Sequence, residues 1–159
     1  MDSIEVLFFE KPQISISKDT SICRNSNASL TVSGGVSYSW SPGESLNDPT
    51  SPNPDATPAV DTRYYVTIMD DIGCEYQDSV LVTIQPQPEF NVPPHVKVCL
   101  GESAQLEATG GDTYSWWPDT GLSDVTISNP IAHIYSSAEY SVTITESICN
   151  NSVTLKTLV

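Results

Sequence analysis

Apolar and polar residues alternate along this chain in short runs. Leu30 and Val32 alternate with Ser and Thr, and Tyr38 and Trp40 flank Ser39. Tyr64, Val66 and Ile68 alternate with Tyr65 and Thr67, and Val80, Val82 and Ile84 with Leu81 and Thr83. A period of two with one apolar side predicts strands that are packed on one face and wet on the other, as in antiparallel sheets. Turn signals separate the runs. Gly34-Gly35 predicts a hairpin or a sharp loop. The stretch from Asp48 to Pro58 is too rich in proline for a central strand, since proline donates no ladder hydrogen bond, so it is expected at an edge.

The pattern repeats. At an offset of 76, residues 12–68 align with 88–144 without a gap, and 20 of the 57 positions are identical. Cys23 meets Cys99, Gly34-Gly35 meets Gly110-Gly111, and Tyr38-Ser39-Trp40 meets Tyr114-Ser115-Trp116. Further on, Cys74 matches Cys149 after a one-residue deletion. Residues 2–12 also lie over 78–88. The expected organisation is therefore the last strand of a preceding repeat at 1–11, or an extra N-terminal strand, then repeats at 12–86 and 87–159. A strand carrying Ile4, Val6, Leu7, Phe8 and Phe9 has to be covered, either by its own chain or by strand addition to another molecule. Asp2 and Glu5 stand where a secretory leader would be basic. The reading is a fragment of a longer tandem array.

Composition agrees. The 159 residues include 22 Ser, 15 Thr, 14 Val and 12 Ile against 7 Ala, which favours strands over helices. A net charge of −14 argues against nucleic acid and anionic membranes as partners. No apolar run approaches the roughly 18–20 residues of a membrane span. About seven short strands per repeat, with a Trp on the third, predict an all-β chain of two tandem immunoglobulin-like antiparallel β-sandwiches. Trp40 and Trp116 are expected in the core. Tyr64 and Tyr140 begin the penultimate strand, near the place of a tyrosine corner.

The order Cys, Gly-Gly, Tyr-x-Trp-x-Pro, Leu-x-Asp, Asn-Pro, Tyr-x-Val-Thr-Ile and Asp-x-x-Gly-Cys resembles the PKD/Ig-like repeats of Bacteroidota surface proteins. These belong to the type IX secretion and gliding-motility group, which includes adhesins. The resemblance covers nearly the whole chain, and the second repeat departs from it at Ser147-Ile148-Cys149, which lacks the Gly. It implies display at the cell surface, stacking of neighbouring repeats, and adhesive or filament-forming work.

The four cysteines occupy matching positions, with no close pair and no His at ligand spacing, which argues against zinc. Even count and symmetry favour bridges Cys23–Cys74 and Cys99–Cys149, one per repeat, and hence an oxidising compartment. Two alternatives stay open: a bridge from Cys23 to Cys149 across the repeat junction, because Cys23 and Cys74 fall at opposite ends of a simple sandwich, and free thiols.

Candidate chemistry is sparse. No nucleophile elbow occurs, and His95 and His133 have no counterparts in the other repeat, so no enzyme is expected. Asp70, Asp71, Asp119 and Asp124 are weak Ca²⁺ candidates, set against ordinary turn aspartates; no other cofactor is implied. Trp117 replaces Ser41 and must point outward if Trp116 points inward, which makes it a weak site for a sugar or a neighbouring domain. Ser3 and Ser79 sit in Asp-Ser-aliphatic triplets, a short O-glycosylation pattern associated with this bacterial group. The expected function is a non-catalytic structural or adhesive module of a large secreted surface adhesin or filament. Its partners are like repeats, a further copy, or a surface glycan or protein. The alternative is a glycan-binding or spacer module of a secreted enzyme.

Overall fold

The computed structural model describes residues 12–159; the expected strand at 2–9 and Ser3 lie outside them. The chain divides between Gln85 and Pro86 into two units, and no helix occurs among the described residues.

The first unit runs β1 (Ser15–Ile16), β2 (Thr20–Ile22), β3 (Ala28–Ser29), β4 (Val32–Ser33), β5 (Ser37–Ser41), β6 (Asp55–Ala56), β7 (Thr62–Met69) and β8 (Glu75–Ile84). One sheet has the order β2-β8-β7-β5; β1 pairs with β4, and β3 with β6. The alternation seen in the sequence becomes the packed face. Trp40, Tyr64, Val66, Ile68, Val80 and Val82 meet Ala28, Leu30, Val32 and Ala56 in one buried cluster. The intervening Tyr65 faces outward and is exposed.

The second unit repeats the plan with β9 (Ser103–Gln105), β10 (Thr113–Trp117), β11 (Ile131–His133), β12 (Glu139–Glu146) and β13 (Asn151–Leu158). Strands β10-β12-β13 form one sheet and β9 pairs with β11. Trp116, Tyr140, Val142 and Ile144 pack against Ala104, Leu106, Ala108 and Ala132.

The pairing is antiparallel with one exception. β2 runs parallel to β8, with Thr20 opposite Val82 and Ile22 opposite Ile84. A parallel bridge between His95 and Leu158 marks the same place in the second unit. The chain leaves β1, crosses to the other sheet and runs beside the last strand in the same direction. Gly34-Gly35 is likewise a sharp crossing and not a hairpin, because β4 pairs with β1 whereas β5 pairs with β7.

The proline-rich stretch keeps to the edge, as expected. Its carbonyls at Pro49, Pro52 and Pro54 accept from the N–H groups of Trp40, Val32 and Leu30 at 2.8–2.9 Å. Val125, Ser128 and Pro130 do the same for Trp116, Ala108 and Leu106. The arm thus touches both layers. The Trp40 indole donates to Ser51 O at 3.0 Å, and that of Trp116 to Ile127 O at 2.9 Å. Tyr64 and Tyr140 reach from the core to the preceding loop. The Tyr64 hydroxyl lies 2.5 Å from Ser45 Oγ, and that of Tyr140 donates to Thr120 O at 2.9 Å.

Gly34 has φ +101°, and a Cβ there would stand 2.4 Å from the Gln13 carbonyl oxygen. Gly73 has φ +85° but open space around it. Gly34→Ala is therefore expected to destabilise the first unit by about 2 kcal/mol or more, and Gly73→Ala by about 1 kcal/mol. Urea denaturation measures both, and equal losses would contradict the role given to the backbone contact.

Candidate functional site

The ends of each repeat carry most of its unusual chemistry. Strands β7 and β8 are joined by residues 70–74. Asp70 is only 6% exposed, and its Oδ1 accepts the N–H of Ile72 at 3.1 Å and of Cys74 at 2.8 Å. Its Oδ2 accepts the Tyr76 hydroxyl at 3.3 Å. Burial, and then the neighbouring Asp70 carboxylate, hold the Tyr76 phenol above the usual tyrosine range. Glu146 does the same work in the second unit. It accepts the N–H groups of Ile148 and Cys149 and, at 3.1 Å, the Asn151 amide. The second hairpin lacks the glycine, and Asn150 takes up the left-handed conformation instead, at φ 55°.

Each of these hairpins lies where the chain enters its unit. Gly34 lies against Gln13, and Val36 N–H donates to Met69 O at the end of β7. In the second unit Gly110 lies against Glu89. Asp112 there accepts both the N–H and the hydroxyl of Ser147. The other end is where the chain leaves. Gln85 N–H donates to Ile22 O at 2.8 Å, which places Cys23 beyond the end of β8. Val96 N–H donates to Leu158 O at 2.9 Å, which leads Cys99 to the far end of β13.

The cysteines correct the sequence expectation. Cys74 and Cys99 are free, exposed thiols, whereas Cys23 and Cys149 are disulfide-bonded. Neither expected within-repeat bridge, Cys23–Cys74 or Cys99–Cys149, is formed. Strand length is the reason. Cys74 precedes the first residue of β8 and Cys23 lies past its last. Ten residues at about 3.3 Å each separate them by roughly 30 Å. The eight residues of β13 separate Cys149 from Cys99 by roughly 25 Å. A bridge needs Cα atoms about 4.4–6.8 Å apart.

The other candidates are dispersed. Asp70 and Asp71 share the first hairpin, while Asp119 and Asp124 stand on a loop of the second unit. Among the described residues no three His, Cys, Asp or Glu side chains converge as a metal site would require. Asp124 Oδ1 is engaged by the N–H and hydroxyl of Thr126, both at 2.7 Å, and Asp48 holds Thr50 in the same way. These are aspartates that close their own turns. Trp116 is 3% exposed and Trp117 73% exposed, so the second indole stands clear of the Pro118 loop. His133 Nδ1 lies 2.7 Å from Ser103 Oγ. This is a surface cross-strand pair on β9 and β11, and no carboxylate among the described residues orients the ring. Ser79 lies on the outer face of β8, where its hydroxyl accepts from Arg63 at 3.3 Å.

Sequence reasoning missed the apolar groups at the ends. Leu100 and Tyr135 are each 83% exposed, beside Cys99 and on the loop after β11. They replace Arg24 and Ala59 of the first repeat, and that departure was the available signal. Ile72 and Ile148 are exposed beside the hairpin cysteines.

No family model matches the chain, and no curated protein does. Solved structures do. The structure of DIP-gamma IG1+IG2 superposes with a TM-score of 0.52 at 10% identity, covering 93% of this chain and 97% of that one. The insect immune protein hemolin gives 0.47 at 16% identity, over 93% of this chain and 46% of that one. The human desmocollin-1 ectodomain gives 0.45 at 8%, over 96% and 37%. The chain thus spans less than half the length of the last two. At such identities the likeness concerns fold alone, and the fold is an all-β, immunoglobulin-like sandwich.

The turn carboxylates set an acid limit. Hydrogen bonds from Thr50, Ser147 and Thr126 hold Asp48, Asp112 and Asp124 below the ordinary carboxylate range. A depressed folded value means that their contribution to stability is complete above the unfolded value of 3.8, and is lost as pH falls through the lower folded values. NMR titration should place all three side chains below 3.8. Thr126→Val should raise Asp124 toward that value and leave Asp48 unchanged. An Asp124 midpoint unmoved by this substitution would count against the assignment.

Proposed function

We propose that this chain is a non-catalytic structural and adhesive repeat module of a large secreted bacterial surface protein, of the Bacteroidota PKD/Ig-like kind. The observation that carries the reading is the placement of chemistry within each repeat. The chain enters at the hairpin end and leaves at the opposite end of the last strand, so each repeat advances it by roughly 30 Å. The cysteines stand at those two ends, with the exposed side chains of Ile72, Leu100 and Ile148 close to them in sequence. The strong negative charge keeps such modules soluble and mutually repelling. A disulfide fits an oxidising, extracellular compartment. The resemblance in sequence motifs supplies the bacterial group, and with it the expectation of display through type IX secretion on a gliding-motility adhesin or filament.

One observation favours a second reading. Trp117 presents a bare indole beside the sheet that holds Trp116, and a flat exposed ring suits the apolar face of a sugar. On this reading the chain is a glycan-binding or spacer module of a secreted enzyme.

Two measurements test the proposal. Antibodies raised against the chain should label intact producing cells, with the label removed by protease outside the cell; label found only after lysis would overturn the surface assignment. A glycan array should show no binding above background. A signal lost in Trp117→Ala would transfer the function to the second reading.

A further inference from the structure

The sheet β10-β12-β13 of the second unit ends on β13. Ala138 and Val159 exchange both of their N–H···O bonds, each at 2.9 Å. In an antiparallel ladder such pairs recur at every second residue. Leu155 and Val153 therefore bond back to Val142 and Ile144. The N–H and C=O groups of Ser152, Thr154, Lys156 and Leu158 point the other way, out of the sheet. Leu158 is engaged there: its N–H donates to Pro94 O at 3.1 Å, and its carbonyl accepts from Val96 at 2.9 Å. Among the described residues nothing pairs with the outward groups of Ser152, Thr154 and Lys156. All three are exposed. This is an open strand edge.

The first unit guards the equivalent edge. Outward N–H groups of β8 are taken by carboxylates of the same chain. Ser79 donates to Asp78 at 2.7 Å and Leu81 to Asp19 at 2.8 Å. Glu75 adds a third acid at the start of the strand. A second copy placed there would bring acids from both sides to one seam. Residues 151–156 carry no acid at all, and their one charge, Lys156, is held by Glu139 at 2.7 Å.

We propose that the β13 edge is an interaction surface for a second copy of this chain. The two edges pair antiparallel about Thr154, and two three-stranded sheets become one continuous sheet. The register follows from which groups point outward. Centred on Thr154, every outward residue finds a partner: Thr154 meets Thr154 of the second copy, and Ser152 and Lys156 meet each other twice. Each of these pairs exchanges two backbone hydrogen bonds. A centre one residue away in either direction strands an outward residue, against the hairpin or against the engaged Leu158. On the inner side Val153 comes opposite Leu155 of the second copy. Both are half-buried against the core, and they form the closer, non-bonded kind of pair. The seam thus joins Thr with Thr, Val with Leu and Ser with Lys, with no like charges opposite.

At long range two copies of net charge −14 repel. Salt screens that repulsion and leaves the uncharged seam as it is, so added salt strengthens the contact. Because β13 runs from the hairpin end to the exit end, antiparallel pairing sets the two copies in opposite directions. Chains projecting from two facing surfaces meet in that way. This consequence rests on the surface reading above; the pairing does not.

Analytical ultracentrifugation of the full chain tests the proposal, with Cys74 and Cys99 alkylated so that no mixed disulfide joins copies. A monomer–dimer equilibrium is expected, with more dimer at about 150 mM salt than at about 10 mM. Thr154→Pro removes an outward donor that the chain's own sheet does not use, and should weaken association at least about tenfold. Thr154→Lys puts two cations opposite each other and should do the same in a chain whose β-sheet circular dichroism is unchanged. Amide exchange should slow at Ser152, Thr154 and Lys156 as concentration rises, and stay constant at Gln77. A chain that is monomeric at millimolar concentration and physiological salt would overturn the proposal. So would a dimer indifferent to both substitutions, or one that protects Gln77 instead. Labelling of intact cells is unaffected by any of these results, so the surface reading fails separately.

Discussion

The two layers of each repeat are held to one another by an arm whose carbonyls take N–H groups from both. Neighbouring strands within a layer exchange hydrogen bonds, but the residues between β5 and β6 mostly accept. They take the N–H of Trp40 from one layer and those of Leu30 and Val32 from the other. The buried indole adds a further donor to the same arm. Without the arm, three backbone donors and an indole N–H at the margin of the core would lack partners, and each such loss costs on the order of 1–3 kcal/mol. The packing of Trp40 against Leu30 and Ala56 presupposes that this edge is closed. So does the position of the loop that Tyr64 holds.

The arm closes one side edge of each repeat, and the two ends lie far apart. The core is narrow, and the long strands β7 and β8 run its full length. A residue at one end cannot reach the other. That simple separation decides the cysteine chemistry, because loop-closure arguments based on spacing along the chain ignore where a strand has carried its ends. The same separation makes the entry and exit points of each unit lie apart.

The sequence made the layers legible and the ends only partly so. Alternation at Tyr64, Val66 and Ile68 identified the packed face, because burial on one side of a pleated strand imposes a period of two. The outward turn of Trp117 followed from the inward turn of Trp116 by the same rule. The proline arm was legible as an edge for the right reason, absent donors, yet the second repeat forms it with Val125 and Ser128 in two of the three places. The carbonyl positions matter more than the proline rings. The parallel course of β2 was not legible, since periodicity carries no information on strand direction. The disulfide pattern was misjudged in favour of symmetry within a repeat. Equal spacing along the chain says nothing of where a long strand has carried its two ends.

The unequal hairpins show what the duplicated plan preserves. The second has one residue fewer, and a rigid copy of the first would pull its cysteine out of place. Three substitutions act together to prevent this. Glu146 is one methylene longer than Asp70 and still reaches the N–H of the cysteine. Asn150, a residue that tolerates the left-handed region, supplies the turn that Gly73 supplies in the first copy. The Asn151 amide meets the second carboxylate oxygen where the Tyr76 hydroxyl does in the other repeat. In both copies a carboxylate organises the turn around a cysteine backbone, though no residue of the turn except the cysteine and one isoleucine is the same. Elsewhere at the ends the repeats diverge freely, as at Arg24 and Leu100. What both copies keep is a turn that carries a cysteine and is organised by a carboxylate through that cysteine's own N–H.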